Sequence, residues 1–260
     1  MNFIDTHTHL FASEFDNDID IVIKNALDNG ISKMLLPNID STTTKKMLQL
    51  CDNYPNNCYP MVGLHPCSIK KDNLEKEISH VEQMLSQNKF IAVGEIGLDL
   101  YWDKSNLDLQ KIAFESQIEL AKKYQLPIVI HVRDSFDEAI EIVERLNDYN
   151  LSGVFHCFTG NLEEARRIIN LNNFYLGIGG VVTFKNGGIN KIINQVSLDR
   201  IILETDSPYL SPTPFRGTRN ESKYLLNIAH KMAELYNIGI EDIAKKTTKN
   251  AIAVSYTHLT

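Results

Sequence analysis

The 260 residues are 43% hydrophobic and 23% charged, enough apolar surface for a buried core, which excludes an intrinsically disordered chain. A net charge of -7 and a pI near 5.6 exclude a protein that grips nucleic acid over a broad basic face, because such binding depends on counterions released from many phosphates. Four cysteines (Cys51, Cys58, Cys67, Cys157) show no CxxC pair and no zinc-finger spacing, and they read as reduced, mostly buried thiols.

The chain enters a strand-like segment at once, residues 2–6, without the basic stretch and apolar run of a signal peptide. No apolar segment approaches the roughly 20 residues that span a bilayer. A cytoplasmic protein without a membrane partner is therefore expected. The first amphipathic helix carries its apolar stripe on Ile19, Val22, Ile23 and Ala26 and stops at Asn29-Gly30. Strands are predicted at residues 32–36, 59–64 and 90–95, and Pro127 introduces a fifth at 128–131. A helix face on Phe136, Ala139, Ile140 and Val143 leads to strands at 153–157 and 174–178. A loop containing Gly187-Gly188, a strand at 200–205 and a last stripe on Leu225, Ile228, Ala229 and Met232 complete the pattern.

Eight strand and helix units alternate without a break, repeat or linker, which predicts one α/β domain over residues 1–253. A single TIM (β/α) barrel of eight parallel strands fits better than an open doubly wound sheet, and either puts its chemistry at the carboxyl ends of the strands.

His7 and His9 are two apart, so on an extended chain both imidazoles point to one side. Alone, such a pair is more often two satisfied histidines than a site. Of the 8 histidines, however, His7, His9, His65, His131 and His156 all fall at or just after the end of a predicted strand. His80 and His230 lie in helical stretches and His258 in the tail, and these three receive no function. Glu95 and Asp206 occupy the same kind of position. A buried carboxylate is costly unless it is paired with a cation or a metal, and for either one alone an arginine partner is an equal alternative. Four imidazoles and two carboxylates converging on one barrel mouth predict metal binding. Six ligands (His7, His9, Glu95, His131, His156, Asp206) exceed the three plus water of one catalytic zinc, so two adjacent divalent ions are expected.

At this point the sequence resembles the TatD family of metal-dependent deoxyribonucleases, within the amidohydrolase superfamily of α/β barrels. The matching segments are Phe3-Ile4-Asp5-Thr6-His7-Thr8-His9, Gly63-Leu64-His65-Pro66, Gly94-Glu95-Ile96-Gly97-Leu98-Asp99, His131-Val132-Arg133, His156-Cys157-Phe158-Thr159-Gly160, Glu204-Thr205-Asp206-Ser207-Pro208-Tyr209 and Arg216-Gly217-Thr218-Arg219-Asn220-Glu221. The resemblance implies that His7, His9 and Asp206 hold one metal, that His131 and His156 hold the other, and that Glu95 bridges them. It also implies a 3'-5' exonuclease acting on single-stranded DNA ends. A metal pair of this kind lowers the pKa of a water and steadies charge on the attacking and leaving oxygens. Asp206 is the expected proton acceptor. Four imidazoles suit zinc, manganese or iron, whereas the resemblance implies magnesium.

His65 is expected on substrate phosphate, with an orienting bond to a ligand as the equal alternative. Arg133, two beyond His131, offers a cation to phosphate or a rim salt bridge. Arg216 and Arg219 touch substrate or pair with Glu204 or Glu221. Tyr101 and Trp102 could stack on unpaired bases, although packing of their loop is the blander and favoured expectation. Two other functions fit the same residues: a hydrolase of D-aminoacyl-tRNA or of another ester or amide, and a non-catalytic metal-binding scaffold. The complete ligand set weighs against the scaffold. The chain is expected to be a monomer. Residues 254–260 read as an atypical C-terminal tail.

Overall fold

The computed structural model describes residues 1–87, 89–148 and 150–254. The tail beyond Val254, with His258, lies outside the described residues. Strands β1 (Phe3–Asp5), β2 (Ile31–Leu36) and β3 (Cys58–Pro60) form one parallel sheet in sequence order. Strands β4 (Val93–Asp99), β5 (Ile128–Arg133), β6 (Gly153–Phe155), β7 (Phe174–Ile178) and β8 (Ile201–Leu203) form a second. Single parallel bridges join the sheets at both seams, Val62 with Val93 and Thr8 with Ser207, to give the α/β barrel.

Helices α1 (Ile19–Asp28), α2 (Ser41–Asn53), α3 (Leu74–Leu85), α4 (Leu107–Tyr124), α5 (Phe136–Leu146) and α6 (Leu162–Ile169) follow the first six strands in turn. Helices α7 (Leu225–Tyr236) and α8 (Ile240–Ala253) follow β8. All three expected apolar stripes are present as helix faces, and Val22, Ile23, Ala139, Ile140, Ile228 and Met232 are buried against the sheet.

The predicted alternation fails in one place. Between β7 and β8 the crossover is made by short 3-10 turns, at Gly180–Thr183, Ile189–Lys191, Ile193–Gln195 and Leu198–Arg200. Gly187, Gly188, Asn186 and Asn190 are poor helix formers, so the segment covers the sheet through buried Ile189, Ile193 and Val196 without a regular helix.

Two of the differences in strand bounds bear on the site. β3 stops at Pro60 because the chain then changes partners: Met61 N donates to Leu36 O at 2.9 Å, whereas Val62 N donates to Ala92 O at 3.2 Å. β4 runs on to Asp99, so Glu95 lies in mid-strand rather than at its end.

A second set of buried side chains fills the barrel: Ile4, Leu35, Met61, Ala92, Val129, Val154 and Ile202, with Ala251 and Val254 from the end of α8, which packs on β1 and β8. Val254, assigned to the tail on sequence, is thus part of the buried core. Side chains alternate along a strand, so the residues two beyond Val129, Val154 and Ile202 point the same way, one layer higher. Those residues are His131, His156 and Glu204.

The seam between β1 and β8 is clasped by a buried side chain. Asp5 accepts from Thr205 N at 2.9 Å and from Thr205 Oγ1 at 2.6 Å. Asp5→Ala would orphan both donors, and each buried unpaired donor costs about 1–3 kcal/mol. The variant should unfold at lower denaturant concentration with an unchanged m-value, and Asp5→Asn, which can still accept, should lose less. An Asp5→Ala protein of full stability would show that the clasp contributes nothing.

Candidate metal centre

Four strand ends and one mid-strand bulge place the donors. The register of β4 against β5 slips between Gly94 and Ile96, leaving Glu95 without a ladder partner. Such a bulge re-aims a side chain. Gly97 makes the alignment possible: at φ +135 it brings β4 so close to β5 that a Cβ would lie 2.1 Å from His131 O. Only glycine combines that dihedral with that approach.

Glu95 sorts the histidines into two sets. Its Oε2 faces His7 Nε2 at 3.3 Å and His9 Nε2 at 3.6 Å. Its Oε1 faces His131 Nδ1 at 2.9 Å, His156 Nε2 at 2.8 Å and His65 Nε2 at 3.4 Å. Asp206 joins the first set, with Oδ1 3.7 Å from His7 Nε2 and 3.4 Å from His9 Nε2. The sets touch where His7 and His156 stack at 3.8 Å between centroids. Among the described residues, every ion-pair partner of Glu95 is a histidine.

Three overlapping groups could hold a metal ion: His7, His9 and Glu95; His7, His156 and Asp206; and His65, Glu95 and His131. Hydrogen bonding separates the ligand-competent rings from the rest. The His131 Nε2–H donates to Asp99 Oδ2 at 3.0 Å, which leaves the Nδ1 lone pair for the centre. His156 Nδ1 lies 3.4 Å from Glu204 Oε1, which leaves Nε2 for the centre. His65 is the reverse: its Nδ1 accepts from Cys67 N at 3.1 Å, so in a neutral ring Nε2 carries the proton. In that state His65 turns its Nε2–H toward Glu95 Oε1, 3.4 Å away, as a donor.

The electrostatics agree with a cation site. Burial alone would raise Glu95, but the fields of His156, His65 and His7 and the bond from His131 hold it well below the usual carboxylate range. Burial would lower His156, and Glu95 and Glu204 instead raise it well above the ordinary imidazole value. Burial depresses His7, with His156 adding to the effect. Asp99, pushed up by burial and pulled down harder by His131, falls to about 2. Two buried carboxylates and stacked imidazoles are poorly served by protons alone, because stacked imidazolium ions repel. Divalent cations fit this donor set.

Three residues after the strands take positive φ: Asp134 at 54, Cys157 at 45 and Asp206 at 58. Non-glycine residues hold this conformation only when surroundings enforce it. Asp206 N donates to His7 O at 2.9 Å, and Cys157 N donates to Glu204 Oε1.

All six expected ligands therefore meet, and His65 meets them. Arg219 does not: Asp18 takes both its Nη atoms at 2.8 and 2.7 Å, and Glu221 takes Nη2 at 3.0 Å, so the expected substrate contact is replaced by a structural clamp between the β8 loop and the residue before α1. Arg216 lies over Phe184 and donates to Ser211 O at 3.1 Å, far from the expected Glu204 pairing, because Glu204 points into the barrel. Tyr101 and Trp102 are exposed, not packed. Asp99 and Glu204, which orient His131 and His156, went unassigned in the sequence. The period-two spacing of Glu204 from Ile202 could have found it.

The profile of the TatD related DNase family matches residues 4–255. The uncharacterized metal-dependent hydrolase YabD of Bacillus subtilis is 39% identical over 248 residues, 95% of this chain and 96% of that protein. The crystal structure of YjjV, a TatD homolog from Escherichia coli, superposes with a TM-score of 0.90 at 28% identity, covering 97% of each chain. A hydrolase TatD family protein from Entamoeba histolytica shares the fold, at TM-score 0.87 and 23% identity over 98% of each chain.

If Asp99 fixes the His131 tautomer, Asp99→Leu should weaken divalent-ion binding by about 10- to 100-fold in calorimetric titration, with far-UV dichroism unchanged. Asp99→Asn, whose amide oxygen can still accept, should fall between. Native affinity in the leucine variant would remove this role.

Proposed function

This chain belongs to the TatD-related DNase family, and from that membership and the geometry of its mouth we propose that it is a metal-dependent hydrolase cleaving phosphodiester bonds, a deoxyribonuclease working 3'-5' from single-stranded ends. The observation that carries the reading is the division of donors by the two oxygens of Glu95. It supports a pair of divalent ions, magnesium, zinc or manganese, with His7, His9 and Asp206 on one side, His131 and His156 on the other and Glu95 between them. Bound there, the ions would supply Lewis acidity and a water nucleophile at neutral pH.

The side chains divide the remaining work. Asp206 is the more accessible of the two carboxylates, its side chain 13% exposed against 3% for Glu95. On this reading it would take the proton of the attacking water, while Glu95 stays a fixed, buried charge. His65, whose Nε2 faces Glu95 Oε1 at 3.4 Å, would donate its Nε2–H to a phosphate oxygen. Arg133, which has no ion-pair partner among the described residues, supplies a rim cation for the same group. Arg219 is already spent on Asp18 and Glu221 and takes no part.

The test presents purified protein, metal-loaded or chelated, with a 3'-labelled single-stranded DNA, a D-aminoacyl-tRNA and a small ester. Loss of 3' label in the metal-loaded sample, abolished by chelation and by Glu95→Ala, is the expected result. Deacylation with intact DNA would replace the phosphodiester reading with the tRNA ester. Asp206→Asn should reduce turnover by about 10²- to 10⁴-fold while the fold survives, and an active variant would remove it as proton acceptor. Elemental analysis should return two ions per chain, fewer in Glu95→Ala.

A further inference from the structure

The rim beside β4 carries an exposure that folding does not explain. Trp102 is 72% exposed and Tyr101 53%, although both are large apolar surfaces that a fold normally covers. Their rings meet edge to face at 4.9 Å and 88°. The Arg133 guanidinium carbon sits 3.6 Å from the Tyr101 ring centre and 5.6 Å from that of Trp102. A guanidinium stacked by its face keeps its N–H edge free.

The platform is also tied to the metal centre. One oxygen of Asp99 accepts from Tyr101 N at 2.9 Å and Trp102 N at 3.4 Å, while the other takes the His131 Nε2–H at 3.0 Å. Arg133 stands opposite Asp99 in the β4–β5 register, two residues beyond His131. One carboxylate therefore fixes both the aromatic loop and a ring that faces Glu95.

We propose that Tyr101, Trp102 and Arg133 form a stacking subsite for an unpaired nucleobase of the strand whose phosphodiester enters the mouth, which rests on the phosphodiesterase reading above. Aromatic faces accept any base, and a base is available to them only when it is free of a duplex stack. The charge of the chain points the same way. At net -7, a broad phosphate grip is not available, and affinity must come from a few local contacts of which stacking is the least dependent on charge.

The chain contains a single tryptophan, so its fluorescence reports this subsite alone. Metal-loaded Asp206→Asn protein is titrated with a short single-stranded oligodeoxynucleotide and with an abasic strand of the same length. Saturable quenching by the first and not the second is expected. In the active enzyme, Trp102→Ala should raise KM for the base-bearing strand by about 5- to 150-fold, the equivalent of one stacked base, and erase its advantage over the abasic strand. Trp102→Phe should restore most of that advantage. Equal quenching by both strands, quenching by neither, or an unchanged KM in Trp102→Ala would overturn the subsite. These outcomes are separate from the phosphodiesterase reading: base-dependent quenching without any cleavage would sink that reading and leave the subsite, whereas cleavage indifferent to Trp102 would do the opposite.

Discussion

Glu95 keeps a negative charge where only 3% of its side chain reaches water, and the barrel mouth is organised around that charge. Withdrawing a carboxylate from solvent costs several kcal/mol unless cations and hydrogen bonds replace the water. Five imidazoles surround it and, among the described residues, no lysine or arginine pairs with it. The backbone that presents it is held from outside the strand: Asn38 N donates to Gly94 O and Glu95 N donates to Asn38 O, at 3.2 and 3.1 Å. Asn38 is fixed in turn by Thr44 and Thr43 at the start of α2. The bulge is therefore clamped by the neighbouring βα unit.

The rest of the site follows from strand period and closure. An apolar layer of Val129, Val154 and Ile202 lies beneath a polar layer of His131, His156 and Glu204, so the same alternation that fills the barrel delivers the ligands. His7, His9 and Asp206 come from the β1–β8 seam, where regular pairing has given way to isolated bonds: His9 N to Ser207 O at 2.7 Å and Asp206 N to His7 O at 2.9 Å. A regular ladder would hold successive side chains on opposite faces. His7 and His9, two apart, share one face in any case, and Asp206, at positive φ, brings its Oδ1 to 3.7 and 3.4 Å from their Nε2 atoms. Gly177 leaves room beneath, since a Cβ there would lie 2.3 Å from Glu204 Oε2.

These features were not equally legible in the sequence. The convergence of these donor side chains was readable because metal-binding residue types at strand ends are chemically conspicuous, and the eight strands because buried parallel strands are β-branched runs. Strand ends were less so: β4 passes through Glu95 to Asp99 because a bulge and a left-side glycine permit it, and nothing in local periodicity announces a bulge. The helix missing before β8 follows from composition, since Asn186, Gly187, Gly188 and Asn190 favour turns, whereas an unbroken alternation of strands and helices was expected there. Asp99 and Glu204 escaped notice for another reason. Each acts through a histidine, and sequence gives a carboxylate's type without its partner. The arginines show the same limit. Arg133 and Arg219 both follow site motifs, yet only tertiary contacts distinguish the one stacked on an exposed ring from the one locked to Asp18.

On the phosphodiester reading, that distinction bears on how an acidic protein would handle a polyanion. Arg219 is neutralised by Asp18 and Glu221, and Arg216 keeps its charge but spends its contacts on a carbonyl and the Phe184 ring. Arg133 keeps its hydrogen-bonding edge. On the phosphodiester reading, the field that would draw a substrate inward would come chiefly from metal ions held at Glu95. Such a field is short in reach and focused on one point, and it favours a substrate that presents one phosphate at a time. A duplex offers its phosphates along a broad, rigid surface and gains little from a single focused site. A flexible end can bring one phosphate into the mouth while its base finds an exposed ring. On the phosphodiester reading, the scarcity of free arginine at this rim is then itself a source of selectivity, since it withholds the diffuse attraction that would hold a duplex.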